Sequence, residues 1–176
     1  MKRLLLLAVC LFVLTSGYED RGEKSAAEAL DKSGISSSRV MHRHELDDAV
    51  IVFYEDPDGG LNAGLIDKKG SRFQWGFGGG TVSPQNGSHW AWINLDMNSK
   101  TKRYQLYYGV LQDESVRRLH IRHKGINSYI DKDAELVRTS AGYTLWFALQ
   151  DRYSEVHPGF ELDGYSADGE RVYRYE

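Results

Sequence analysis

Apolar residues along this chain follow two patterns, and both are typical of β-strands. In residues 49–55, 104–112 and 143–150, apolar side chains fall on both faces of the predicted strand. Strands of this kind are covered on both sides, so we predict that these three lie at the centre of the fold. In residues 116–124 apolar and polar side chains alternate, which predicts one buried face and one face toward solvent.

Short strand-like segments separated by turn residues continue over most of the chain. The runs DPDGG at residues 56–60, KKG at 68–70 and DG at 168–169 are typical of hairpin turns. Residues 125–133 are interpreted as a loop. About ten short strands with few helices predict a mainly β protein. We therefore predict a single antiparallel β-sandwich or open barrel-like domain over residues 39–176.

Residues 72–96 form the most unusual stretch, with three of the four tryptophans, a triple glycine and an Asn-Gly turn. Two aromatic strand-like pieces, at 73–77 and 89–95, flank a loop rich in Gly, Ser, Pro and Asn, which predicts one wide hairpin. A phosphate-binding glycine loop needs a helix directly after it, whereas an extended Thr-Val-Ser-Pro follows here. We interpret the glycines as a β-bulge or a wide loop.

The first 17 residues have the pattern of a secretory signal peptide. Two basic residues precede an apolar run at residues 4–14, which is too short to cross a bilayer as a helix. Small residues at 15–17 suit cleavage after Gly17. An uncleaved N-terminal anchor and lipid attachment at Cys10 stay open as alternatives. The protein is therefore expected to be exported, and to be secreted, associated with the cell envelope or anchored by its N-terminus.

Residues 18–38 are small and polar, and predict either a tether or a short helix that packs against the sheet through Leu30 and Ile35. Cys10 is the only cysteine, so cleavage after Gly17 leaves a chain without disulfides or thiol chemistry. Cleavage also removes two basic residues and no acidic one, which moves the net charge from −3 to −5. This acidic balance argues against a nucleic-acid partner.

Catalytic and metal-binding patterns are weak in this sequence. His42 and His44 share one face of a predicted strand, at a spacing that suits metal ligands. A third ligand would have to come from another segment, with His89 and His157 as the candidates. Acidic pairs at residues 56–58 and 131–135 do not complete a calcium loop. No Gly-x-Ser-x-Gly serine elbow occurs in the sequence. We therefore predict no metal and no cofactor.

A non-catalytic binding or accessory domain of the envelope is the favoured function. One alternative is a small secreted hydrolase that uses Asp, Glu or His in a cleft near the glycine loop. A metal- or ligand-sensing accessory domain is a third hypothesis. The expected partners are an envelope polymer or a surface protein.

A basic ladder is the first candidate for binding. Arg118, His120, Arg122 and Lys124 fall on one face of a predicted strand, and such an array suits a polyanion. The simpler interpretation, which we favour, is a charged face that protects an edge strand from aggregation.

Trp90 and Trp92 are the second candidate. Aromatic side chains exposed on a sheet stack on sugars or peptides, whereas buried ones belong to the core. Asn94 and Asp96 share the face of these two tryptophans in the predicted strand, which leaves binding and burial equally open.

Segments in order along residues 41–175 resemble those of a group of small exported or lipoprotein-like proteins of Gram-positive bacteria. They are the His44-Glu45 start, VFYED, WGFGGG, the W-x-W strand, LYYGV, YTLWFAL and GYSADGERVY. No activity is assigned to that group, so the resemblance carries over no functional residue. Lipid-anchored members would have a cysteine at the end of the signal, whereas Cys10 lies inside the apolar run here.

Overall fold

A computed structural model of the protein describes residues 22–35, 39–83, 90–96, 103–124, 129–139, 142–150 and 161–175. Within these ranges, the side chains of residues 92–96, 103, 123, 124 and 129 fall outside the description. The predicted signal peptide also lies outside the described residues. No helix in the described part is long and apolar enough to cross a membrane.

One short helix and twelve strands form in the described residues. The helix α1 is Ala26–Lys32. The strands are β1 Arg39–Glu45, β2 Ala49–Glu55, β3 Leu61–Lys69, β4 Arg72–Val82, β5 Trp90–Asp96, β6 Arg103–Leu111, β7 Arg118–Lys124, β8 Tyr129–Asp133, β9 Glu135–Arg138, β10 Thr144–Gln150, β11 Glu161–Tyr165 and β12 Arg171–Tyr175.

The strands form three four-stranded antiparallel sheets. Sheet A has the order β1-β2-β3-β4, sheet B the order β5-β6-β10-β9, and sheet C the order β12-β11-β7-β8. The prediction of a mainly β, antiparallel fold is therefore confirmed. The arrangement is sandwich-like, with a third sheet added to the two that a simple sandwich has.

Sheets A and B face each other across the largest apolar cluster. Ile51, Phe53 and Leu65 of sheet A meet Tyr108 and Phe147 of sheet B, and all five side chains are fully buried. Side chains alternate along a strand, so the neighbours of Tyr108 and Phe147 point to the opposite face of sheet B.

That opposite face packs against sheet C. Tyr107 and Trp146 of sheet B contact the cluster that contains Leu119, Ile121 and Leu162 of sheet C. Sheet B is thus covered on both faces, and its inner strands β6 and β10 are two of the three strands predicted to be central.

The third, β2, lies inside sheet A, where α1 covers its second face. Ser25 accepts a hydrogen bond from the Glu28 N–H (3.1 Å), and the Glu28 carboxylate accepts one from the Lys24 N–H (2.9 Å). These two bonds start the helix in a variant of the capping box, in which Glu28 reaches the residue before the N-cap Ser25. Ala29 and Leu30 then pack in the cluster that holds Val50, Val52 and Ile66 of sheet A. The tether interpretation therefore does not describe residues 26–32, which form a packed helix.

The glycine run lies within strand β4 and contains two bulges. Register shifts occur between the pairs Leu65–Phe77 and Ile66–Trp75, and between Leu61–Val82 and Ala63–Gly79. Each shift places one extra residue on β4, which is how a β-bulge forms. These extra positions include Gly76 and Gly80, and Gly80 has a φ of 74° that favours glycine. The bulge interpretation of the glycines is confirmed.

The wide hairpin predicted for residues 72–96 is wrong. β4 pairs with β3 in sheet A, and β5 pairs with β6 in sheet B, so the two halves of this stretch belong to different sheets. The loop predicted at residues 125–133 is also wrong in part, because Tyr129–Asp133 forms β8 and pairs with β7.

Candidate functional site

The basic ladder lies on the outer face of sheet C. Leu119 and Ile121 of β7 are fully buried toward sheet B, so Arg118, His120 and Arg122 point away from the core. These three residues share one face, as the alternation predicts. Lys124 belongs to β7, but its side chain lies outside the described residues.

Carboxylates from the neighbouring strand β8 contact this ladder. His120 Nδ1 lies 2.8 Å from Asp133 Oδ1, and His120 Nε2 lies 2.6 Å from Asp131 Oδ1. Both ring nitrogens therefore face carboxylate oxygens of β8. A guanidinium nitrogen of Arg118 lies 3.5 Å from Asp133 Oδ1. The acidic pair considered for calcium therefore contacts the ladder instead.

The strand on the other side of β7 also contributes carboxylates. Arg122 lies 3.3 Å from Glu161 of β11. Asp163, also of β11, lies 3.6 Å from Arg171 and 3.7 Å from Arg174, both of β12. From β8 to β12, the outer face of sheet C therefore alternates between acidic and basic columns. We call this surface the striped face, and define it by the following residues: Asp131, Asp133, Arg118, His120, Arg122, Glu161, Asp163, Arg171 and Arg174.

Aromatic side chains play different parts around sheet C. Arg118 stacks over the ring of Tyr165, with 4.1 Å between its Cζ atom and the ring centroid. Trp90 is half-buried against the cluster between sheets B and C, and its ring meets Tyr175 edge-on at 6.3 Å. Trp90 is therefore packed in part against the core. Trp92 lies in β5, but its side chain is outside the described residues.

A cleft of about 380 Å³ opens where the three sheets meet. We call it the junction cleft, and define it by its lining: His44, Leu46, Tyr104, Lys132, Asp133, Glu135, Phe147, Ala148 and Leu149. It lies where the chain leaves the edge of sheet C after β8 and joins sheet B as β9, with Ala134 between the two strands. β9 pairs with β10 as far as Phe147, and the next residues of β10 have no β9 partner.

His44 lines this cleft, and His42 shares its face of β1, as their spacing predicts. The ring of His42 stacks on Phe53 at 6.1 Å, and the ring of His44 meets Phe147 edge-on at 5.1 Å. His44 Nδ1 lies 3.7 Å from Glu135 Oε2, which is beyond hydrogen-bond distance. Burial, assisted by repulsion from His44 and opposed by Glu135, holds the pKa of His42 below its ordinary value of 6.5.

Stability is expected to fall as the pH drops below about 6.5, in part because of His42. Its lowered pKa means that the unfolded chain binds a proton at this ring more readily than the folded chain does. The stability that the neutral His42 ring contributes is fully present at pH values above its pKa in the unfolded chain. It is lost as the pH falls through the lower pKa of the folded protein. Urea unfolding in steps from neutral to mildly acidic pH checks this, with His42→Phe as the comparison. Equal slopes of stability against pH in the two proteins would contradict it.

The junction cleft is remote from the glycine run. β1 and β4 are the opposite edge strands of sheet A, so the His44 side of the cleft and the glycines of β4 lie at opposite edges. β4 borders a different cleft, which is lined in part by Glu23, Lys32, Phe73 and Trp75. Glu23 and Lys32 form an ion pair of 2.8 Å. Histidine and carboxylate side chains therefore gather away from the place where the hydrolase hypothesis puts them.

Sequence reasoning identified the bases that β7 contributes to the striped face, and missed Arg171 and Arg174 of β12 as well as the carboxylates. The available signal was the alternation D-x-D at residues 131–133 and E-x-D at 161–163, which puts each acidic pair on one face of a strand. Within the described ranges, no group of three or more His, Cys, Asp or Glu side chains is arranged to hold a metal ion. The resemblance to exported Gram-positive proteins stays a prediction. No family model, no curated protein and no solved structure matches the chain.

Proposed function

We propose that this protein is an exported, non-catalytic binding domain that recognises a surface protein through the striped face of sheet C. The observation that carries the proposal is the alternation of acidic and basic columns across four neighbouring strands. Export is inferred from the signal pattern of residues 1–17, and the resemblance to exported proteins agrees with it.

The charge pattern favours a partner that carries both signs. Arg118, Arg122, Arg171 and Arg174 alternate with four carboxylates. Asp163 is buried, but a polyanion would meet repulsion from the more exposed Asp131, Asp133 and Glu161. Protein surfaces carry both positive and negative charges. A partner whose charges complement the columns of the striped face would be attracted and also aligned in one register. The ion pairs also orient the guanidinium groups before a partner arrives, which lowers the entropic cost of binding.

Loss of the basic column on β7 is expected to weaken retention of the purified protein on envelope fragments of its own cells by about tenfold or more. The test variant is Arg118→Ala/Arg122→Ala. Arg43→Ala/Lys69→Ala removes the same charge from exposed sites on sheet A and is the matched control. The control is expected to stay within about twofold of the unchanged protein, and raised salt is expected to weaken binding.

Two results would overturn the proposal. One is equal retention of the test variant and its control, after circular dichroism shows both to be folded. The other is saturable binding of polyglutamate at physiological salt that depends on Arg118 and Arg122, which would indicate a polyanion site instead. Loss of retention after protease treatment of the fragments is the result expected for a protein partner.

A further inference from the structure

We propose that the junction cleft binds a small primary amine that has an aromatic or branched apolar body. The cleft lies between β1 of sheet A, β10 of sheet B and the β8–β9 corner, and Asp133 is the one residue that it shares with the striped face. The inference does not depend on that function.

The size and shape of the cleft suit a small molecule. Its volume of about 380 Å³ falls at the lower end of the range typical of small-molecule sites. Leu46, Tyr104 and Leu149 line it as half-buried side chains and offer apolar surface. Phe147 is fully buried behind His44 and holds that ring in place through their edge-on contact at 5.1 Å. The apolar part of a small ligand can therefore pack against side chains that the fold already holds in place.

The lining also favours a positive ligand. Lys132 is the one basic side chain in it, and its Nζ donates a hydrogen bond to the Leu149 carbonyl oxygen at 3.1 Å. Two carboxylates line the same cleft. Asp133 accepts from His120, whereas Glu135 has a side chain that is 61% exposed and no contact with His44 shorter than 3.7 Å. Glu135 is thus the group placed to receive an ammonium.

Aromatic surface beside a carboxylate adds to this preference. Tyr104 lines the cleft together with Glu135. The faces of aromatic rings attract cations, and a carboxylate nearby adds a charge-assisted hydrogen bond. An anion of the same shape would be repelled by the carboxylates of Asp133 and Glu135. The ammonium group of Lys132 already donates a hydrogen bond to the Leu149 carbonyl oxygen. The sign of the ligand charge therefore decides whether it binds.

The test uses three probes of nearly one shape, namely 2-phenylethylamine, 2-phenylethanol and phenylacetate. Titration calorimetry and ligand-observed NMR are expected to show saturable binding of the amine, weaker binding of the alcohol and none of the acid. Glu135→Gln keeps the shape of the side chain and removes its charge, and is expected to weaken amine binding by about tenfold or more.

Glu45→Gln is the matched control. It removes the same charge from the same region, but Glu45 lies next to His44 on the other face of β1, where it pairs with Lys68 at 2.6 Å. Amine affinity within about twofold of the unchanged protein is expected for this control. Absence of saturable amine binding, equal effects of the two variants, or phenylacetate binding as tight as that of the amine would each overturn the proposal.

Discussion

Replacing Phe147 with alanine is expected to lower the free energy of unfolding by about 4 kcal/mol. The ring is fully buried between sheets A and B. It lies 5.0 Å from the ring of Phe53 and 5.7 Å from that of His42. Alanine leaves a cavity between two sheets whose strands cannot close in on it without breaking their own pairing. Urea unfolding followed by circular dichroism measures the change.

The conservative variant Phe147→Leu separates loss of volume from other effects. Leucine refills most of the space, so we expect it to cost less than half as much as alanine. A folded domain of this size has a total stability of about 5–15 kcal/mol, so the alanine variant retains only part of it. A loss below about 1 kcal/mol for Phe147→Ala would show that this cluster does not hold sheets A and B together.

Replacing Gly64 with alanine is expected to destabilise the protein by about 3 kcal/mol, a large effect for one methyl group. A Cβ atom at this position of β3 would lie 2.1 Å from Cη2 of Trp75. The indole cannot simply turn away, because it meets Tyr54 edge-on at 6.2 Å and packs in the cluster beneath α1. Thermal and urea unfolding both report the loss.

Two further variants make this expectation specific. Gly79→Ala adds a methyl group where no heavy atom lies within 4 Å, and at a φ outside the left-handed region, so it is expected to be nearly neutral. Combining Gly64→Ala with Trp75→Val removes the clash, and the Gly64 substitution should then cost less than half as much. If Gly64→Ala costs the same in both backgrounds, contact with the indole is not the cause.

The sequence pattern predicted burial better than pairing. β2, β6 and β10 carry apolar residues on both faces, and burial on both sides follows directly from the hydrophobic effect. The partner of a strand depends instead on contacts between distant segments. β4 and β5 are neighbours in the chain, and the hairpin prediction for residues 72–96 rested on that and on the turn-forming residues between them. The two strands instead pair in different sheets, β4 with β3 in sheet A and β5 with β6 in sheet B.

The striped face shows the same limit at the level of a site. The alternation in β7 predicted that Arg118, His120 and Arg122 share a face, and they do. Asp131 and Asp133 were missed as strand residues because three successive charged positions indicate a loop. Their place beside β7 depends on Ile130 of β8, which is buried in the cluster between sheets B and C. Glu161 contacts Arg122 although the two residues are 39 positions apart in the sequence. Local sequence patterns do not predict contacts between residues so far apart.

The order of strands in sheet B has a consequence for how the chain folds. β6 and β10 are neighbours in the sheet, yet β7, β8 and β9 lie between them in the chain. Joining β6 to β10 therefore closes a long loop, and such closure is slow because its entropic cost comes before its contacts form. Until β10 has been synthesised as far as residue 150, β6 has no partner on that side. Its edge then exposes unpaired backbone N–H and C=O groups next to apolar side chains. During synthesis, β6 therefore stays unpaired on one side for longer than the strands β1 to β4, each of which pairs with the next strand in the sequence. Over that time β6 needs protection from aggregation.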